Sequence, residues 1–161
     1  MVARRAALGL LAAAGVAGCG FRLRRPAELP FGSLALTGFS RGSALEAEFR
    51  RTLAGSVIIP EVPSQADVVL HAMTDQRERS VVASTAAGQV REIQLRLLFS
   101  ARADTPGGRP LMAPVSLRLT RDLSYSETAA LAKAAEEAEL FREMQTDVVG
   151  QILRRLAAVK L

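Results

Sequence analysis

The 161-residue chain has one cysteine, one histidine, one tyrosine and no tryptophan. A lone cysteine cannot form an internal disulfide, so the fold must rest on its packed core even in an oxidising compartment. His71 is the only imidazole and there is no second thiol, so the commonest transition-metal ligand sets are missing and no metal site is expected. A Ser-His-Asp triad would have to recruit His71, and no nucleophile elbow accompanies it. His71 lies in an apolar run, VVLHAM, and reads as a satisfied core or sheet histidine. Gly107-Gly108 separates two strand-like segments instead of opening a helix, so it is no phosphate loop. Glu136-Glu137 reads as the solvated face of a helix. No catalytic residue, no enzyme activity and no cofactor is therefore expected. Aromatics make up only 4% of the chain, which makes nucleic acid a poor partner for an exported protein. No charge-free apolar run approaches the roughly 20 residues that cross a bilayer.

What is present begins with an export signal. Arg4 and Arg5 precede an apolar run, Ala6 to Val16, which ends in the small residues Ala17 and Gly18. A charged start, an apolar middle and a small-residue end mark a secretory signal. Val16-Ala17-Gly18-Cys19 resembles the lipobox of bacterial lipoproteins. That resemblance implies cleavage before Cys19, a diacylglyceryl thioether on its sulfur and an acyl chain on its new amino group. Each buried CH₂ contributes about 0.8 kcal/mol, so several chains anchor durably where one does not. The alternative is an ordinary signal peptide with a chance cysteine. Arg4-Arg5 leaves the twin-arginine export route open, although Ala3 and Ala6-Ala7 do not favour it. Gly20 stands where some lipoproteins carry the aspartate that retains them in the inner membrane, and by resemblance this favours the outer membrane.

The expected organisation is a signal peptide over 1–18, a lipidated tether over 19–32 and one domain over 33–161. The processed chain would keep 143 residues, enough for a single core. Two of the 21 basic residues leave with the signal, so 19 face 16 acidic residues, a net charge of +3. That mild excess suits an anionic surface or ligand. Arg22, Arg24 and Arg25 in the tether suit either lipid phosphates or plain solvation.

The periodicities predict an α+β two-layer sandwich: a mainly antiparallel or mixed sheet of four to five strands, with two helices on one face. Residues 33–39 read as a first strand. Ser43 and Glu46 form a capping box, and Leu45, Phe49 and Leu53 share one face of a helix over 44–54. Val57 to Ile59, closed by Pro60, reads as a short edge strand. Asp67 to Val82 reads as a long strand that leaves the core near Asp75. Ala83 to Gly88 reads as a hairpin end. Gln89 to Asp104 alternates Ile93, Leu95, Leu97, Phe99 and Ala101 with polar residues, broken only by Leu98, which marks a half-covered strand. After a turn at Thr105 to Gly108, a partner strand runs from Val115 to Tyr125. The outer sheet face would carry Gln94, Arg96, Arg102 and Arg118. Ser126 reads as the N-cap of a final helix. Its apolar stripe would run through Leu131, Ala134, Ala138, Phe141, Met144, Val148, Ile152 and Leu156.

Several motifs resemble one family when taken in order. Cys19-Gly20-Phe21-Arg22-Leu23-Arg24 resembles the start of the lipopolysaccharide-assembly lipoproteins of the LptE family. Gly88-Gln89 with Glu92 to Leu95 resembles their hairpin and strand. Arg121 to Tyr125, followed by Leu131-Ala132-Lys133 and Glu136-Glu137, resembles their strand-to-helix run, and Gln151 to Leu156 their helix end. The resemblance implies an outer-membrane lipoprotein on the periplasmic side, held in the inner leaflet of that membrane by its lipid anchor. Such a protein plugs and helps assemble the β-barrel LptD, about one to one, and assists lipopolysaccharide insertion. It also implies lipopolysaccharide binding, with one implicated basic position falling on Lys133. A second falls near Ala86-Ala87, which carry no charge; Arg77, Arg79 or Arg91 are the candidates to compensate. The rival expectation is a generic periplasmic lipoprotein that binds cell-wall polymer or another envelope protein.

Overall fold

A computed structural model describes residues 28–161. Cys19 and most of the expected tether therefore lie outside the described residues. The packed chain reaches back to Leu29, which lies against the core, and to Phe31, which is buried in it. Strand β1 (Leu34–Thr37) leads to helix α1 (Ala44–Leu53). Strands β2 (Val68–Ser84), β3 (Val90–Asp104) and β4 (Pro110–Ser124) follow, and helix α2 (Ala130–Leu156) ends the fold. The sheet order is β1-β2-β3-β4. The β1–β2 pair is parallel and the other two pairs are antiparallel. This is the mixed four-stranded α+β fold that the periodicities predict.

Local chemistry explains most of the boundaries. The Ser43 hydroxyl accepts from the Glu46 N–H at 3.0 Å, capping α1. Leu45, Phe49 and Leu53 are then buried on one face of that helix. In β3 the residues Ile93, Leu95, Leu97, Phe99 and Ala101 are all buried, as their alternation requires. Phe39, Phe49 and Phe99 join loop, helix and sheet with ring centroids 5.9–6.1 Å apart.

Four expectations are corrected. Val57 to Ile59 is not a strand: Ile58 alone bridges Ser33, through Leu34 N–H to Ile58 O and Ile58 N–H to Gly32 O, both 2.9 Å. Pro60 has no N–H with which to extend the ladder. Strand β4 starts at Pro110, earlier than Val115. It is an edge strand, and the register shift between Ala101 and Ala103 absorbs Pro114. Ser126 does not cap α2. Its hydroxyl meets Thr128 Oγ1 at 2.8 Å, and a 3₁₀ turn over Glu127–Ala129 moves the cap position to Ala129. Finally, the buried stripe of α2 begins only at Phe141, and Leu131 is 90% exposed. The N-terminal part of this helix crosses the sheet where β2 presents arginines instead of apolar side chains.

The chain enters the fold at a carboxylate clasp. Asp67 Oδ2 accepts from Gly32 N–H (3.0 Å), Ser33 N–H (2.9 Å) and the Ser33 hydroxyl (2.8 Å). The Ser33 hydroxyl bond is the largest influence. It and the two backbone N–H groups hold the carboxyl below its ordinary value against the opposing effect of desolvation. A lowered folded pKa means that the clasp stabilises the fold above the ordinary carboxylate value of about 4 and loses that contribution as pH falls through the folded value. Denaturant midpoints measured from about pH 6 to about pH 2 should therefore show wild type losing its advantage over Asp67→Asn on acidification. A constant difference across that range would show that the clasp is not charge-dependent.

Candidate functional site

Every second residue of a strand shares a face, and the register turns that rule into a site. Arg77 lies opposite Leu97 and Arg79 opposite Leu95. Since Leu95 and Leu97 are core residues, both arginines emerge on the helix face of the sheet. Arg77 stacks over the Phe141 ring at 5.2 Å, and the Gln145 amide oxygen accepts from its Nε at 3.2 Å. Arg79 lies 5.9 Å from the centre of the Tyr125 ring and pairs with Glu137 at 3.2 Å.

Two further cations reach the same end of the sheet. The Lys133 ammonium donates to the Ser124 hydroxyl at 3.1 Å and to Glu136 at 2.8 Å. Arg91 donates to the Gln89 side chain at 3.3 Å, and its carbonyl accepts from Tyr125 N–H at 2.8 Å. Arg79 and Lys133 thus gather around Tyr125 and Ser124, and Arg91 joins them through its backbone pairing with Tyr125. Arg77 lies further in and helps fasten α2 to the sheet.

The same end carries apolar surface. Val81 and Val82 are half exposed near the hairpin tip, and Leu131 projects from the first turn of α2. Cations beside exposed apolar side chains form an amphipathic patch. Its acids, Glu136 and Glu137, are satisfied from the cations themselves, so an incoming phosphate would exchange one partner for another instead of filling a vacancy. Sequence reasoning found the cations but missed Tyr125 as their platform and Glu137 as a partner. The Arg79–Glu137 contact joins positions 58 residues apart, and no local pattern encodes it.

The outer face of the sheet is polar. Gln94 donates to Asp122 at 3.0 Å, Arg96 donates to Gln94 at 2.8 Å, and Arg96 faces Glu78 at 3.6 Å. Arg102 and Arg118 are exposed on the same face. Among the described residues, no helix covers it. Between the helices, Thr146 donates to Glu48 at 3.0 Å and Arg51 pairs with the same carboxylate at 3.0 Å. The Thr146–Glu48 bond joins α1 to α2, and no group of metal-ligating side chains occurs among the described residues.

Comparisons with known proteins agree with this architecture. The LptE lipopolysaccharide-assembly family model matches residues 31–156. The LPS-assembly lipoprotein LptE of Pectobacterium atrosepticum is 28% identical over 147 residues, covering 89% of this chain and 79% of that protein. The solution structure of lipoprotein B from Nitrosomonas europaea superposes with a TM-score of 0.69 at 30% identity, covering 86% of this chain and 91% of that one. The crystal structure of rare lipoprotein B from Shewanella oneidensis gives 0.63 at 27% identity, covering 78% and 94%.

Proposed function

The chain belongs to the LptE lipopolysaccharide-assembly family, and on that premise we propose that it is a lipid-anchored plug for the outer-membrane barrel LptD that also handles lipopolysaccharide. Family membership supports a role in lipopolysaccharide transport or assembly. In this reading Cys19 carries the lipids, the domain lies on the periplasmic face of the outer membrane, and one copy serves one barrel. The protein binds and positions and catalyses nothing.

The observation that carries the reading is the cluster of Arg79, Lys133 and Arg91 around Tyr125, beside the exposed Val81, Val82 and Leu131. A phosphorylated, acylated glycolipid offers the matching chemistry. Its phosphates suit the arginine fork and the lysine point charge, and its chains suit the apolar rim. Arg77 supports the cluster by fixing α2. The uncovered polar face of the sheet suits the polar interior of a large barrel.

Two measurements test this. Full-length tagged chain should retain a large barrel protein near one to one when drawn from detergent-solubilised outer membranes. A chain that retains no barrel would favour a generic envelope-binding lipoprotein. Reversing Lys133 and Arg79 together to glutamate should weaken lipopolysaccharide binding about tenfold or more, because each charge-assisted bond to phosphate is among the stronger ones. Thermal melts of the same variant separate lost binding from lost folding. Unchanged affinity in a folded variant would remove the cluster from the site.

A further inference from the structure

His71 and the Gly107-Gly108 turn have no part in the cluster described above, yet they meet in one cavity at the other end of the sheet. Ala35, Val69 and Asp104 lie side by side across β1, β2 and β3, and His71 lies opposite Arg102. The cavity over them encloses about 440 Å³. Pro63, Pro106 and Pro110 form its apolar walls, while Arg102 and Asp104 supply its charge and His71 an imidazole.

The polar groups are held in place from behind. His71 Nδ1 meets the Thr37 hydroxyl at 2.7 Å, and its Nε2 lies 3.5 Å from Asp104 Oδ2. Arg102 approaches the same Oδ2 through Nε, at 3.2 Å. The Arg102 side chain is half exposed. A guanidinium edge and a carboxylate oxygen thus lie side by side, one cation beside one anion. A simple phosphate would gain from Arg102 but meet the repulsion of Asp104. A ligand with both a phosphate and an N–H-bearing ammonium suits both groups.

The position of the cavity narrows the source of such a ligand. Gly32 and Ser33 are clasped by Asp67, one residue before β2 begins, so the chain enters the fold at this end of the sheet. Cys19 stands ten residues before Leu29, which packs against the core, a reach of at most about 35 Å. Arg79 of the basic cluster lies ten residues from Val69 along β2, roughly 33 Å away. We propose that this cavity is a headgroup site that takes the zwitterionic phosphoethanolamine group of a membrane phospholipid. Arg102 holds the phosphate, Asp104 the ammonium, and the end of the domain that carries the tether faces the leaflet. The orientation rests on the lipid anchor at Cys19; the chemistry of the cavity does not.

Because His71 is the only histidine, its imidazole resonances report on this cavity alone. Lipidated full-length chain in a detergent without phosphate headgroups is titrated with glycerophosphoethanolamine, glycerophosphocholine and glycerol phosphate. The first should move the His71 signals saturably. The other two should bind at least about tenfold more weakly, since each lacks one charged hydrogen-bonding contact. Arg102→Gln, at a half-exposed position, and Asp104→Asn should each weaken the first titration by a similar factor. In vesicles of phosphatidylcholine, entered through the protein's own anchor, the His71 signals should shift only when phosphatidylethanolamine is included. Equal binding of glycerol phosphate would reduce the cavity to a simple anion site, and no response to any probe would abolish it. A response to the free headgroup but not to the vesicles would overturn the membrane-facing orientation. Lipopolysaccharide binding is read from Lys133 and Arg79 at the other end of the sheet, and barrel capture is read by pull-down, so either can fail without changing these titrations.

Discussion

Gly38→Ala is expected to destabilise the fold by about 3–5 kcal/mol, the sum of left-handed backbone strain and overpacking. Gly38 has φ +78°, a region that L side chains rarely adopt. A Cβ there would also drive into the carbonyl oxygen of Ala72 and lie 3.2 and 3.3 Å from that residue's carbon and nitrogen. These are backbone atoms at the point where the β2–β3 register shifts between Ala72 and Thr74, so they cannot swing aside as a flexible side chain would. Gly42 is the internal control. Its φ is +73°, but a Cβ there would meet nothing within 4 Å. Gly42→Ala should therefore show the backbone term alone, about 1–2 kcal/mol. Against a typical domain stability of about 5–15 kcal/mol, the Gly38 variant should unfold at a markedly lower denaturant midpoint. Equal midpoints for the two variants would mean that β1 yields to make room at Gly38.

The same position shows where reading a sequence stops. Residues 33–39 display their strand through alternating leucines, but nothing in SLALTGF reveals that its glycine will touch Ala72, thirty-four residues later in the chain. By contrast, the alternation in β3 and the Ser43–Glu46 cap are local, and each element forms where its pattern lies. The errors cluster where a neighbour decides. Pro110 and Pro114 argue against a strand until β4 proves to be an edge. The early stripe of α2 argues for burial until Arg77 and Arg79 occupy the sheet beneath it. The candidate site follows the same division. Lys133, Arg79 and Arg91 stand out by charge and motif, whereas their convergence on Tyr125 depends on the β2–β3 and β3–β4 registers.

Cys19→Ser is expected to give the largest functional loss with the least structural change. Position 19 precedes Leu29 and Phe31, where packing begins among the described residues, so the thermal midpoint should stay at its wild-type value. With Cys19 as the proposed lipid attachment site, the lipids should be lost entirely, because a serine hydroxyl cannot form the thioether. A single acyl chain holds a protein to a membrane only marginally, whereas two or more hold it durably; a chain with none should move to the soluble fraction on cell fractionation. The second consequence is concentration. On the proposed function, plug and barrel share one membrane and meet as if tethered, and such confinement raises apparent affinity by about 10²–10⁴-fold. Barrel occupancy at native expression should therefore fall by about a hundredfold or more, and overexpression of the serine variant should restore part of it by mass action. A serine variant that still fractionates with the outer membrane and fills the barrel at native expression would show that contacts of the folded domain suffice, and that the lipid serves export or sorting instead of holding the plug in place.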